Sequence, residues 1–251
     1  MTCKSCNPPN THLLMDFKSG TILSFDKPLE WTSFGLVNKV RYLLCKHIGE
    51  KKLKVGHAGT LDPLATGVLI ICTGKATKQI DTLQAKTKEY IATLQLGATT
   101  PSFDLETEVD ATFPTEHITR EKIEESLTRF IGRIEQVPPS YSACKVDGKR
   151  AYDLARQGKE VELKAKVLVI DEIELQDFNP AAMQATIRVV CSKGTYIRAL
   201  ARDIGLALNS GAHLTALRRT RIGDYRVEEC HTLDTFLQWL ETLPKETVQQ
   251  Q

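Results

Sequence analysis

The sequence predicts an α+β domain with a central mixed, mostly antiparallel sheet and flanking helices, and three observations point to it. Strand-period alternation marks Glu89 to Leu96 and Met183 to Cys191, helical spacing marks Ser33 to Ile48 and the stretch from about Thr119, and Asp147-Gly148 is a hairpin-turn signal. Strands mixed with helices and joined by hairpins fit one layered domain, and no internal repeat or low-complexity linker interrupts the chain.

Residues 1–15 read as a flexible N-terminal tail, with Met15 as an alternative start. Thr21 to Phe25 reads as a short strand. Over Ser33 to Ile48 the residues Phe34, Val37, Val40, Leu44 and Ile48 recur at helical spacing, which predicts a helix buried along that stripe. Val68 to Cys72 is apolar enough for a strand buried on both faces, and Glu89 to Leu96 places Tyr90, Ala92, Leu94 and Leu96 on one face. The helix from about Thr119 turns Ile123, Leu127 and Phe130 inward and stops at Gly132. Asp147-Gly148 then falls in a basic stretch holding Lys145, Lys149, Arg150 and Arg156. Met183 to Cys191 forms another strand, and the helix Thr195 to Leu208 presents Arg198 and Arg202 on one face. A last helix covers Leu233 to Leu243, and residues 244–251 read as a frayed C-terminal tail, so the domain spans 16–243.

A chain of 251 residues with 41% hydrophobic and 25% charged side chains is long enough to bury a full core. No run approaches the ~18 apolar residues that cross a bilayer, and the N-terminus lacks signal-peptide order, which predicts a cytoplasmic protein without membrane contact. Seven scattered cysteines fit reduced thiols, and Cys3 and Cys6 have no second pair at zinc-binding spacing, so no metal is expected. Net charge is +2 but unevenly placed. Residues 186–226 carry eight Lys or Arg against Asp203 and Asp224, while residues 101–135 carry nine acidic and four basic side chains. One side of the molecule is thus suited to face a polyanion while another repels it, the other reading being that each charge run is a plain solvated face.

Residues 56–69, Gly-His-Ala-Gly-Thr-Leu-Asp-Pro-Leu-Ala-Thr-Gly-Val-Leu, carry the functional signal. Pro63 biases Asp62 toward an extended backbone, and the surrounding glycines permit turns that aim its carboxylate before the apolar run begins. An ordinary turn in which that carboxylate caps a nearby N–H is the other reading.

This segment closely resembles the signature of the TruB family of pseudouridine synthases. Asp26-Lys27-Pro28, Lys88-Glu89-Tyr90, Cys191 to Arg198 and Leu217-Arg218-Arg219 extend the resemblance in order over roughly residues 20–225. The resemblance implies the pseudouridine synthase fold and the isomerisation of uridine 55 in the transfer RNA T loop, with no cofactor. It also implies a flipped-out nucleotide and a protein that works as a monomer without an obligatory protein partner. Asp62 matches the catalytic aspartate, whether it attacks base or sugar or deprotonates the sugar. Arg198 matches its arginine partner, and Tyr90 the tyrosine that stacks on the base, with a hydroxyl placed to help remove the C5 proton. His57 and Leu217 match residues near the flipped nucleotide. Lys27, Arg218, Arg219, Lys145 and Arg150 complete the expected substrate-binding set, with phosphate contacts assigned to the Arg218 cluster and the Lys145 to Arg156 hairpin.

Two departures from the family pattern stand out. Pro101 replaces the middle aspartate of Thr-Asp-Thr while Asp104 is kept, and a C-terminal PUA domain is expected to be absent. Two other functions use the same residues: an RNA-folding module on the basic surface, and a metal-dependent hydrolase built from His57, Asp62 and Asp104.

Overall fold

The apolar run after Asp62 becomes the strand β3 (Ala65–Thr73), nearly all of whose side chains are buried because other strands or helices cover both its faces. The computed structural model describes residues 16–142 and 163–244 in full, with the backbone alone of residues 145–146 and 149–150. Before β3 come β1 (Ile22–Lys27), α1 (Ser33–His47) and β2 (Val55–Ala58). After it follow α2 (Ile80–Ala85), β4 (Lys88–Leu96), the short pair β5 (Ala98–Thr99) and β6 (Ala111–Thr112), α3 (Arg120–Thr128) and β7 (Gly132–Gln136). The chain continues through β8 (Lys145–Val146), β9 (Lys149–Arg150), β10 (Lys166–Asn179), β11 (Gln184–Cys191), α4 (Ile197–Ala207), β12 (Ala212–Ile222), β13 (Tyr225–Arg226) and α5 (Leu233–Thr242).

Nine strands form one sheet in the order β1-β3-β12-β4-β11-β10-β7, with β2 on β3 and β13 on β12. Only β3 and β12 run parallel, so the expected mixed and mostly antiparallel sheet is the one formed. A detail of register positions the site. β1 pairs with residues 67–72 of β3, which leaves β3 a single remaining edge. β2 occupies that edge opposite residues 70–73, and β12 takes it over opposite residues 65–67. The loop 59–64 emerges where these two strands part, with Asp62 in it.

The helices follow their caps and apolar stripes. Thr32 accepts from Gly35 N at 2.9 Å to start α1, which ends at His47 with Ile48 as its cap. Val37, Val40, Leu44 and Ile48 are buried as expected, but Phe34 is 64% exposed and Leu36 takes its place, because Phe34 falls off the edge of the stripe. Thr119 caps α3, and Ile123 and Leu127 go inward. That helix ends at Thr128 rather than running to Gly132, which instead begins β7 with φ of +91°. The alternating face of β4 is buried as the sequence predicts, and it shares one core with Ile197, Leu200 and Ile204 of α4. Each such side chain contributes roughly 1.5–3 kcal/mol by leaving water. β8 and β9 pair antiparallel, Lys145 opposite Arg150, so a ladder brackets the expected turn Asp147-Gly148, which itself lies outside the described residues with Arg156. No helix among the described residues is long and apolar enough to cross a membrane.

Gly67 is where β1, β3 and β12 meet. Its φ is +104°, and an added Cβ would stand 2.1 Å from the Arg219 carbonyl oxygen. Gly67→Ala is expected to lower stability by about 2–4 kcal/mol through combined backbone strain and overpacking. Urea denaturation measures this, and a loss below ~0.5 kcal/mol would show that the strand junction adapts.

Candidate active site

The loop carrying Asp62 is fixed by main-chain contacts before its carboxylate does anything. Ala65 N donates to Asp62 O at 3.1 Å, closing a turn with Pro63 at the position whose φ proline presets. Ser33 Oγ at the start of α1 both donates to Leu61 O (3.0 Å) and accepts from Leu61 N (2.9 Å). Pro63 O accepts from Glu30 N at 2.9 Å and from Lys27 Nζ at 3.4 Å.

Asp62 Oδ2 is 3.0 Å from Arg198 Nε, so the carboxylate is engaged by a guanidinium and does not cap its own turn. Arg198 enters from the first turn of α4 and is buried. Its Nη1 donates to Ser102 O at 3.0 Å and its Nη2 to Tyr141 O at 2.7 Å, which fixes the plane of the guanidinium. A second carboxylate, Asp104, lies 3.5 Å from the same Nε and is also buried. From the sequence Asp104 is the retained aspartate of the family pattern and a member of the alternative metal-ligand set, and neither reading places it beside the arginine. The turn before it explains its position: Phe103 N donates to Thr100 O (3.1 Å), which puts Pro101 at the second turn position, where its fixed φ fits. Phe103 then takes φ of +62°, and its carbonyl accepts from Leu214 N of β12 at 2.9 Å. Glu106 N donates to Asp104 Oδ1 at 2.9 Å.

Asp62 keeps 43% of its side-chain surface open to the cleft, yet protein encloses it closely enough that desolvation raises its pKa above the ordinary 3.8. Arg198 opposes that rise, and the charges of Asp104 and Glu106 add to it.

The cleft beside Asp62 has a volume of about 250 Å³. Tyr90 of β4 and Leu217 of β12 form apolar parts of its wall, and Tyr196 also lines it without having been singled out in the sequence. A recess of about 20 Å³, lined by Leu64, Leu105, Leu214 and Leu217, lies against the same aspartate and arginine. Tyr90 is buried, which raises its phenol pKa and holds the hydroxyl neutral.

The expected substrate-binding residues divide. Arg218 and Arg219 are neighbours on β12, so the pleat sends them to opposite faces, which corrects the expectation of a joint phosphate-binding cluster. Arg218 makes a two-pronged pair with Asp26 (3.1 and 2.7 Å) and reaches Thr66 Oγ1 at 3.3 Å. Arg219 is 1% exposed and fills the gap where β2 and β12 separate, donating to Val68 O at 2.8 Å and Gly59 O at 2.9 Å. Lys27 is likewise corrected from substrate contact to internal brace. It is fully buried and donates to Pro28 O (2.8 Å), Trp31 O (2.6 Å) and Pro63 O, with burial pulling its pKa down to about 8. His57 lies on β2 with its Nδ1 buried and unpartnered, and burial followed by the Arg219 charge lowers its pKa. Lys145 and Arg150 sit on the β8–β9 ladder. Among the described residues no three of His, Cys, Asp and Glu gather as a metal-ligand group.

Residues 46–197 match the family described as TruB family pseudouridylate synthase (N terminal domain), and residues 198–250 match the tRNA pseudouridylate synthase B C-terminal domain. Over 227 residues the chain is 72% identical to the tRNA pseudouridine synthase B of Phocaeicola vulgatus, covering 90% of this chain and 96% of that one. Identity to the protein of the same name in Mycobacterium bovis is 46% over 215 residues, covering 85% of this chain and 70% of that one. A chain of the Cbf5-Nop10-Gar1 complex superposes with a TM-score of 0.66 at 28% identity, over 90% of this chain and 55% of that one. A chain of an H/ACA RNP bound to a substrate RNA containing 2'-deoxyuridine gives 0.64 at 27%, over 92% and 57%. The chain therefore spans little more than half the length of those two solved chains. With both family matches running in sequence across the aspartate loop and the helix of its arginine, the chain belongs to the TruB family of pseudouridylate synthases.

Proposed function

We propose that this protein is a cytoplasmic enzyme that converts uridine 55 in the T loop of transfer RNA to pseudouridine, with Asp62 as the catalytic group. The observation that carries this reading is the 3.0 Å contact between Asp62 and Arg198 at the wall of a cleft that also holds Tyr90 and Leu217. The similarity to proteins named tRNA pseudouridine synthase B supports the choice of RNA.

The reaction breaks the bond from N1 of uracil to C1′ of ribose, turns the base, and joins C5 to C1′. The C5 proton leaves and N1 gains one, so atoms and electrons balance without a redox group, and no cofactor is required. A uridine inside a folded T loop does not reach an enclosed carboxylate, so the nucleotide must swing out at a cost of a few kcal/mol. Tyr90 and Leu217 offer apolar surface to the extruded uracil in place of its lost stacking neighbours.

Asp62 must be ionised to act on base or sugar, and Arg198 favours that state against desolvation. Because Arg198 is also anchored to Ser102 O and Tyr141 O, it fixes the direction of the carboxylate as well as its charge. The neutral Tyr90 hydroxyl suits hydrogen bonding and stacking better than removal of the C5 proton as an ionised base. RNA contacts outside the cleft fall to the basic hairpin that carries Lys145 and Arg150, and such binding weakens as salt rises.

Incubating the purified protein with unmodified transfer RNA and mapping pseudouridine tests the assignment. Wild type is expected to form it at the T-loop uridine and Asp62→Ala to form none, whereas an inactive wild type across RNA and salt conditions overturns the reading. Arg198→Ala should lower single-turnover rate by about a hundredfold or more while RNA affinity changes less than about fivefold, as expected for a group acting on the reacting carboxylate. Equal loss of rate and affinity would make Arg198 a binding residue. Asp62 is protonated and inactive below its raised pKa, so the rate should fall on acidification with a midpoint above 3.8. Glu106→Gln removes a charge that raises this pKa and should move the midpoint down. An upward shift would contradict the electrostatic account.

A further inference from the structure

The wall of the cleft also carries cations that no acid neutralises among the described residues. Lys88, Lys193 and Arg219 all line it, and none of the three forms an ion pair among the described residues. We propose that Lys88 and Lys193 form a phosphate-binding subsite for a phosphodiester flanking the nucleotide that enters the cleft. The inference rests on the reading that an extruded nucleotide is the ligand, and it assigns the polarity with which that nucleotide lies: sugar toward Asp62, base against Tyr90, phosphate toward the two lysines.

Lys88 is a built feature rather than a solvated surface lysine. It is buried, and its ammonium donates to Gln84 O and Lys86 O, the latter at 2.6 Å, at the end of α2. An ammonium has three donors, so one remains beyond these two carbonyls, on a residue that forms cleft wall. Lys88 precedes Tyr90 by two residues on the same face of β4, which spaces them by about 7 Å along the strand. That is comparable with the separation of base and phosphate within one nucleotide. Lys193 is exposed at the rim, in the turn between β11 and α4, where its mobile stem can follow a phosphate.

The local electrostatics agree with the placement. Burial first, then the positive charges of Arg219 and Lys193, lower the Lys88 pKa to about 8. A bound phosphodiester would relieve that repulsion and restore the full charge of the ammonium.

The test is a cycle between protein charge and RNA charge. A T-arm hairpin RNA is made with an uncharged methylphosphonate replacing the phosphodiester on the 5′ or the 3′ side of the target uridine. Dissociation constants and single-turnover rates are measured with wild type, Lys88→Met and Lys193→Ala. Neutralising one of the two linkages should weaken wild-type binding by about ten- to a hundredfold, the range for a charge-assisted hydrogen bond. Each variant should show a comparable loss on native RNA and less than about threefold further loss on the neutral linkage. Lys88→Met also frees two carbonyls at the end of α2, so Lys193→Ala, whose lysine is exposed and outside any ion pair among the described residues, decides the outcome if the first variant unfolds. Losses that multiply independently in Lys193→Ala, or insensitivity of wild type to both linkages, overturn the subsite. Because affinity is read separately from turnover, a wild type that binds with the expected coupling but makes no pseudouridine would overturn the proposed reaction and leave the subsite standing.

Discussion

A single guanidinium, that of Arg198, joins the parts of the molecule that make the cleft a site. It touches carboxylates from two loops that lie far apart in sequence and main-chain carbonyls at Ser102 and Tyr141. Its positive charge favours the ionised form of Asp62 against burial, and its fork of donors ties that charge to two main-chain carbonyls. Without it, burial and the charges of Asp104 and Glu106 would raise the Asp62 pKa unopposed. The charge balance of Asp62 and the local order of its surroundings therefore depend on the same contact.

That contact needs Asp62 held at a particular height above the sheet, and the strand arrangement supplies this. β2 leaves the edge of β3 at Ala58 and β12 joins it at Gly67, so the aspartate loop spans a fork in the sheet instead of a closed hairpin. Arg219 plugs the fork from within by bonding to Gly59 O and Val68 O, and Lys27 braces the loop from below through Pro63 O. Both cations, expected at the RNA from the sequence, bond main-chain oxygens instead, Arg219 at the split of the sheet and Lys27 in the loops beside it. Their charge still acts on the cleft: Arg219 lowers the pKa of both His57 and Lys88.

The charge layout that results is organised over a short range. Arg218 is matched by Asp26, and Arg188 by Glu89 and Glu172, so much of the basic stretch seen in the sequence is cancelled locally on the folded surface. Lys88, Lys193 and Arg219, which form no ion pair among the described residues, line the cleft, and the buried charges of Lys88 and Arg219 count for more there than they would in open water.

Sequence alone determined the elements whose signal is periodic or local. The alternation of β4, the apolar run of β3, the stripe and cap of α1, and the motif around Asp62 all follow from residues close together in the chain, and the family resemblance linked Asp62 to Arg198 and Tyr90. Tertiary structure decided what depends on contacts between distant segments. Phe34 carries helical spacing but lies at the edge of the buried stripe and faces solvent, and the long strands β10 and β12 are hidden in the sequence because their partly exposed faces dilute the alternation. Whether an arginine binds an external anion or an internal carbonyl is likewise invisible in sequence. Side-chain type sets charge, whereas the partner is set by the pleat, the strand register and the burial that only the assembled sheet creates.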